Sequence, residues 1–579
     1  MSHPEAPPAE AAAETTEPPV RPVAPSWRTR LGASALSGAS LVFALAITVK
    51  AHLHFMLPFA TPVSNDEGYI SAFAMRMIDG RWLPYVDAVS QRGPILYWVT
   101  AAVMRLAGRF SWLPIRGLAL SISLLLVLGC YLLARALFTP LAGGLAALFV
   151  TYFLSYELNP WDGVGLNGEG MAMVFALGSM LAVSRVMLGD DAPRVQRRLT
   201  VASGALIALA GLSKQMALAH AAPSVLWLAL GRVDDDRGFK TRMRAVGAFV
   251  AGALAPYALV LGLYAATGHL REFVYYYQRY GRDIFMAPVT VTAYREKLRE
   301  QIDKYFLGIA GVGSLATLYL GQTLSRTLRG PGGLGRWRRE APRYFAVAQM
   351  AFGALGACFT GRFFPHYFVQ LFPVAAVVAG AAGASMLEAE GDAGTVDRPR
   401  GWLAQNIAGL VAVLGAMALL TVSASALDRV VRFRRDTDRW YQDPRADAIV
   451  RYVIEKTAPS DLIFVWGFRA ETHVSSGRRP ASRFVYSVYP AGVVPWFQAT
   501  RDEEEQRQVP GARQQLLDDL ESNRPELVID AGRSMNGRYM YNYPVLRTYL
   551  DRNYCFMRYV DGEPIYRRRH GANCPPADY

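Results

Sequence analysis

The sequence predicts a polytopic α-helical membrane protein that ends in a soluble α/β domain, and three observations carry that prediction. Of its 579 residues 52% are hydrophobic and 19% charged, which is too apolar for an ordinary soluble chain and too charged for membrane spans alone. Apolar stretches of spanning length, or nearly so, recur between about residues 31 and 427. Beyond Asp428 the character changes: Pro and Arg rise, and short helical and strand patterns alternate. The predicted domains are therefore 1–30, a tail on the cytoplasmic side; 31–427, the membrane domain; and 428–579, the soluble domain.

Met1 to Ser26 is rich in Pro, Ala and Glu, a composition that cannot bury a core and predicts disorder. No small-residue cleavage site follows an apolar core, so Leu31 to Leu57 reads as a signal anchor. Further apolar stretches lie at about 115–137, 142–157, 170–188, 200–214, 216–231, 245–267, 305–324, 344–360, 363–386 and 403–427, roughly eleven spans in all with the anchor. Gly93 to Gly108 is apolar but short, opens with Pro94 and is bounded by Arg92, Arg105 and Arg109; it reads as a helix lying on the outer surface. If it does not cross, the loops at Arg194 to Arg198, Arg237 to Arg244 and Arg326 to Arg343 all fall inside, as the Lys/Arg bias requires. The loop 268–304 is then outside despite its basic residues, and its run Phe273 to Tyr280 reads as an aromatic segment resting at the headgroups. Ser213-Lys214-Gln215 forms a tight outer turn between two short spans. In the soluble domain Arg445 to Lys456 and Arg513 to Ser522 read as helices, and Leu462 to Trp466 and Leu527 to Ile529 as buried strands.

The net charge of +14 is spread over short loops and forms no single patch, so it reads as positive-inside topology in a plasma (inner) membrane and not as nucleic-acid binding. Cys130 and Cys358 fall in or near apolar segments, while Cys555 and Cys574 can pair if the soluble domain faces an oxidising compartment.

Under this topology polar residues gather on the outer side. Ser64-Asn65-Asp66-Glu67-Gly68-Tyr69 places two acids just beyond the anchor, and Asp87, Gln91 and Arg92 follow in the same loop. The next loop offers Glu157, Asn159, Trp161, Asp162, Asn167 and Glu169, and then come Lys214, Gln215, Arg362, His366 and Tyr367. A carboxylate can deprotonate a hydroxyl, while Arg and Lys can hold a phosphate and stabilise its departure. Trp161 offers a flat surface for a sugar ring. Both halves of glycosyl transfer from a phosphate-activated sugar are present. Plainer uses stand beside these: Asp66 as a helix cap, Glu157, Asp162 and Glu169 as caps or solvated loop acids, Arg362 as an interfacial anchor, and His366 as an interfacial hydrogen-bonding residue. Lys214 interrupts an apolar stretch with no other charge nearby, which is hard to explain blandly.

The stretches Asn65 to Tyr69, Asp79-Gly80, Pro84 to Asp87 and Arg92 to Tyr97 resemble the first outer loop of GT-C glycosyltransferases that use polyprenyl-phosphate sugars. The nearer likeness is to the branch of protein O-mannosyltransferases and the lipid A aminoarabinose transferase, with further matches at Leu212 to Gln215, Arg362 to Gln370 and Ile463 to Gly467. The resemblance implies a GT-C membrane fold with interfacial helices in the first outer loop, inversion at the anomeric carbon, and an isoprenoid phosphate leaving group. It implies Asp66 as the base and Glu67 as its helper. Arg92 stands where many relatives carry Lys in a Lys-Pro-Pro motif, which keeps the charge and changes its geometry; Arg92, Lys214 and Arg362 are the candidate phosphate ligands. Asp87, Gln91, Trp161, Asp162, Glu169, Gln215, His366 and Tyr367 are candidate substrate contacts. No structural-zinc spacing is present, although a divalent cation between Asp66 and Asp162 or Glu169 is compatible with the acids. The expected partners are a polyprenyl-phosphate sugar and a glycan, lipid or protein acceptor. A transporter or flippase of lipid-linked glycans, and a polymerase or ligase using a diphosphate-linked donor, are the alternatives.

Overall fold

The computed structural model describes residues 27–56, 65–108, 110–158, 160–231, 238–285, 291–304, 306–328, 333–391, 447–495, 499–571 and 574. The predicted N-terminal tail over 1–26, the span at about 403–427, the start of the soluble domain at 428–446, and Arg109 and Asn159 lie outside the described residues.

The membrane portion is a succession of helices: α1 Trp27–Met56, α2 Asn65–Ile78, α3 Pro94–Ala107, α4 Trp112–Leu137, α5 Pro140–Tyr152, α6 Pro160–Gly163, α7 Gly168–Leu188, α8 Pro193–Ser213, α9 Ala221–Leu230 and α10 Phe239–Ala266. It continues with α11 Leu270–Val274, α12 Val291–Lys304, α13 Phe306–Leu328, α14 Gly333–Cys358 and α15 Phe372–Gly391. Each span predicted before residue 400 overlaps one of these helices, but two begin in 3-10 turns instead: 216–231 starts in Gln215–His220 ahead of α9, and 363–386 has Pro365–Gln370 ahead of α15, where the proline and the polar residues shorten the helix. Among the described residues, α4, α7, α10 and the Ser34–Leu53 part of α1 are long and apolar enough to cross a membrane unaided; α3, α5, Gln215–Leu230 and Phe372–Leu387 are shorter apolar helices.

Local chemistry explains the boundaries. Pro94 opens α3, where its missing N–H is not needed, and Gly108 closes it in the left-handed conformation at φ 64°. Thr139 caps α5 by accepting the Ala142 N–H at 3.2 Å, and Asn167 caps α7 by accepting that of Gly170 at 2.6 Å. Helices α7 and α8 run antiparallel, joined midway by Ser179 and Ser203, whose hydroxyls lie 2.8 Å apart.

The aromatic run departs from expectation. Phe273, Tyr276, Tyr277 and Tyr280 are buried within the protein and do not rest at headgroups. Their spacing places them on one helical face, and that face packs inward: the Tyr277 hydroxyl donates to the Gly211 carbonyl at 2.9 Å, and the Tyr280 ring lies 4.8 Å from Tyr489 of the soluble domain.

The C-terminal domain comprises α16 Ala448–Lys456, β1 Leu462–Gly467, α17 Glu471–Ser476, β2 Arg479–Pro480, α18 Val488–Ala491, α19 Arg501–Arg507, α20 Ala512–Asn523, β3 Leu527–Ala531, α21 Pro544–Asn553, β4 Tyr554–Val560 and β5 Glu563–Arg568. The sheet order is β2-β1-β3-β5-β4, with β1 parallel to β2 and β3, and β5 antiparallel to β3 and β4. β3 is buried throughout, as an apolar run covered on both faces should be, and its one polar residue, Asp530, is satisfied by the Met540 N–H at 2.7 Å. Cys555 and Cys574 form a disulfide.

This domain is seated on α2 and the loop after it. The Tyr486 hydroxyl donates to the Asn65 carbonyl at 2.7 Å and its ring stacks on Tyr69 at 4.2 Å. The Tyr489 hydroxyl donates to Gln91 at 2.7 Å, the Val89 N–H donates to the Arg483 carbonyl at 3.0 Å, and Arg479 pairs with Asp79 at 3.1 Å.

Candidate active site

Asp66 and Glu67 occupy the first turn of α2, where carboxylates are favoured by the helix dipole. Neighbours on a helix point about 100° apart, and the two acids diverge accordingly. Glu67 is fully buried toward α4, with Oε2 2.7 Å from Arg116 Nη1 and Oε1 accepting the Leu166 N–H at 3.3 Å. It thus ties α2 to α4 and to the loop before α7.

Asp66 turns the other way and remains 26% exposed. One oxygen pairs with the Arg92 guanidinium, and the other lies 3.6 Å from His366 Nε2. His366 Nδ1 is 3.2 Å from Asp162 Oδ1, so the imidazole bridges the two aspartates. Beside them Lys214 Nζ lies 2.7 Å from Glu169 Oε1 and 4.9 Å above the Tyr367 ring. Arg92 packs on Tyr69 at 5.3 Å. Gly93 lets the Arg92 loop meet the end of α8, because a Cβ there would stand 1.9 Å from the Leu212 carbonyl oxygen.

The charges reinforce one another. Burial alone would raise the Asp66 pKa, but Arg92 and His366 reverse this and hold it at about 2. Burial would lower the His366 pKa, yet Glu169, Asp162 and Asp66 bring it above the ordinary value. Burial likewise opposes Lys214, and Glu169 reverses it, so Lys214 is held charged. The arrangement is a partly open carboxylate among fixed cations, a set of groups able to accept a proton and to hold an anion.

Of the residues singled out in the sequence, the fold brings together Asp66, Arg92, Asp162, Glu169, Lys214, His366 and Tyr367. Arg362 is buried near Tyr367, with Arg507 of the soluble domain also close. Asp87 is engaged elsewhere: one oxygen accepts the Arg81 and Leu83 N–H groups at 2.7 and 2.8 Å and fixes that turn. Gln91 accepts from Tyr489, and Gln215 donates to the Gln91 and Tyr277 carbonyls at 3.3 and 2.7 Å, so both tie loops together. Trp161 sits on α6, and its side chain is outside the described residues. Among the described residues no three His, Cys, Asp or Glu side chains are placed to hold a metal ion, and the His366 imidazole lies between Asp66 and Asp162.

Sequence reasoning missed Arg116 and the soluble-domain residues Tyr486 and Tyr489. Arg116 carried a usable signal, since an arginine inside an apolar run demands a buried partner. The tyrosines carried none, because only the fold brings them to residues about 400 positions away.

Residues 91–260 match the family model described as dolichyl-phosphate-mannose-protein mannosyltransferase. Among solved structures, ArnT from Cupriavidus metallidurans bound to undecaprenyl phosphate is 16% identical with a TM-score of 0.51, covering 91% of this chain and 97% of that one. The Archaeoglobus fulgidus oligosaccharyltransferase in complex with Zn and sulfate is 13% identical with a TM-score of 0.50, covering 91% and 73%. No curated protein matches. At such identities the structural likeness establishes the fold alone, and that fold is GT-C.

Proposed function

We propose that this membrane glycosyltransferase, built on the GT-C fold, moves one sugar from a polyprenyl-phosphate donor to an acceptor hydroxyl on the outer face of the inner membrane, with inversion. The observation that carries the reading is the Asp66 carboxylate, partly open and flanked by Arg92 and His366. Asp66 takes the acceptor proton as the acceptor oxygen bonds to the anomeric carbon; the bond from that carbon to the phosphate oxygen breaks, its electron pair leaving with the phosphate. Arg92, Lys214 and Arg362 hold that phosphate and disperse its growing charge. Arg92 Nη1 is buried without a hydrogen-bond partner among the described residues, so the same fork can serve a phosphate. A phosphate competing for Arg92 weakens its hold on Asp66 and makes the carboxylate a stronger base at the moment it is needed.

Glu67, locked to Arg116, is a positioning residue. The disulfide in the soluble domain suits an oxidising, extracytoplasmic location. The undecaprenyl phosphate in the ArnT structure is a donor-type lipid held by the same fold.

The test is transfer by purified protein from a panel of radiolabelled polyprenyl-phosphate monosaccharides into an envelope extract. Transfer from one donor that vanishes in Asp66→Asn, while donor still binds, supports the reading. No transfer or donor hydrolysis by folded protein favours a diphosphate donor or lipid-glycan transport instead.

A further inference from the structure

At the end of the helix bundle opposite Asp66 lies a cavity of about 590 Å³ between α7, α8, α9 and α10. Glu169 and Lys214 mark the active-site end of α7 and α8, whereas the cavity is lined by Met187 near the far end of α7 and by Arg197 near the start of α8. At 1.5 Å per residue the two sites are roughly 27 Å apart along α7, so the cavity cannot contribute to the transfer site.

Its lining is mixed: Arg197, Arg242 and Arg244 stand among apolar residues that include Val186, Leu228 and Ala248. No ion pair to any of the three arginines occurs among the described residues, and Arg242 Nε is buried there without a hydrogen-bond partner. Leu188 at the end of α7 and Leu226 and Leu230 on α9 are exposed apolar side chains on the helices that line the cavity, as expected where helices face acyl chains. Arg242 Nη1 donates to the Leu230 carbonyl at 3.0 Å, and three guanidinium groups without a carboxylate partner among the described residues, set beside apolar side chains, fit a phosphodiester headgroup with the start of its chains.

We propose that this cavity binds an anionic phospholipid of the leaflet opposite the transfer reaction. A lipid there would bridge α8 and α10 through its phosphate and hold the far ends of the bundle together. The site is independent of the donor site and of the reading of Asp66.

Binding of phosphatidylglycerol to the full chain in detergent, read by native mass spectrometry, tests this, with phosphatidylcholine, undecaprenyl phosphate and inorganic phosphate as the other probes. Each arginine near a membrane surface is worth about fivefold in affinity, so Arg242→Gln with Arg244→Gln should weaken phosphatidylglycerol about twenty- to thirtyfold. The control pair Arg194→Gln with Arg198→Gln, exposed residues outside the cavity lining, should change it little. Ala248→Trp, which fills the cavity without altering charge, should also abolish binding. Equal losses in the control pair would mean attraction to the basic surface only and would overturn the proposal, as would undiminished binding in Ala248→Trp. Inorganic phosphate competing as well as the lipid would make this a free-anion site, and undecaprenyl phosphate outcompeting phosphatidylglycerol would make it a carrier-lipid site; either result overturns the phospholipid assignment. Transfer activity in detergent should be unchanged in every variant.

Discussion

Adjacent in sequence, Asp66 and Glu67 are separated by what surrounds them, and their substitutions should fail differently. Asp66→Asn keeps the shape of the site and removes the proton acceptor, so turnover should fall about a hundredfold to ten-thousandfold while donor binding measured by equilibrium dialysis changes little. Glu67→Gln leaves buried Arg116 without its charge partner, and stranding one member of a buried pair costs about 3–5 kcal/mol; the expected sign is a lower melting temperature with kcat lost only as the protein unfolds. Titration separates the groups again. Asp66, depressed from 3.8 to about 2, contributes stability that is complete above 3.8 and is lost as pH falls through about 2. His366 is raised above 6.5, so its ion pairs stabilise fully below 6.5 and that contribution disappears as pH rises through the raised value. A melting temperature that declines on the alkaline side, with that decline removed in His366→Gln, is the expected result of thermal scans across pH.

At the scale of elements, the site depends on α3 and α8 approaching until backbone touches backbone at Gly93. An alanine there would place its Cβ 1.9 Å from the Leu212 carbonyl oxygen, and neither partner can yield without moving Arg92 or Lys214. Overpacking of this kind costs about 1–3 kcal/mol, and displacing catalytic groups by about 1 Å can cost a hundredfold in rate. Gly93→Ala should therefore lose more kcat/KM than its modest change in melting temperature explains, and equal activity would show that this contact does not set the site. The glycine was legible in the sequence only as part of Arg92-Gly93-Pro94; that it meets the turn before Lys214 depends on which helices pack, and a single sequence does not state that. The apolar helices were legible because each needs only an apolar run, whereas α2 and α12, which carry several charges each, were not. The inward turn of Phe273 to Tyr280 was not, since an aromatic helical face looks the same whether it meets headgroups or protein.

At the scale of the whole molecule, the four clearest elements of the soluble domain, α16, β1, α20 and β3, were readable from local pattern, while its role was not. What the pattern did not give is its seam with the membrane portion, where the Tyr486 hydroxyl donates to the Asn65 carbonyl next to Asp66 and the Tyr489 hydroxyl donates to Gln91 next to Arg92. Asp66, the proposed base, and Arg92 thus each have a neighbour tied to the soluble domain. If the seam stabilises the site, loosening it should release the loop without dismantling either body. Tyr489→Phe removes the hydroxyl that donates to Gln91 and lies 3.4 Å from the Tyr69 hydroxyl, a net loss of about 0.5–1.5 kcal/mol per hydrogen bond, and leaves the ring packed against Tyr276 and Tyr280. Tyr489→Ala removes the ring as well and should cost about 3–5 kcal/mol, most of it at the seam. Amide hydrogen exchange over residues 65–93 should rise slightly in the first variant and strongly in the second, with β1 and β3 remaining protected in both. Donor KM should follow the exchange, because Arg92 loses its fixed position before it loses its charge. If exchange in 65–93 stays at the wild-type rate in Tyr489→Ala, the soluble domain rests on the site without holding it, and its contribution has to be sought in the acceptor.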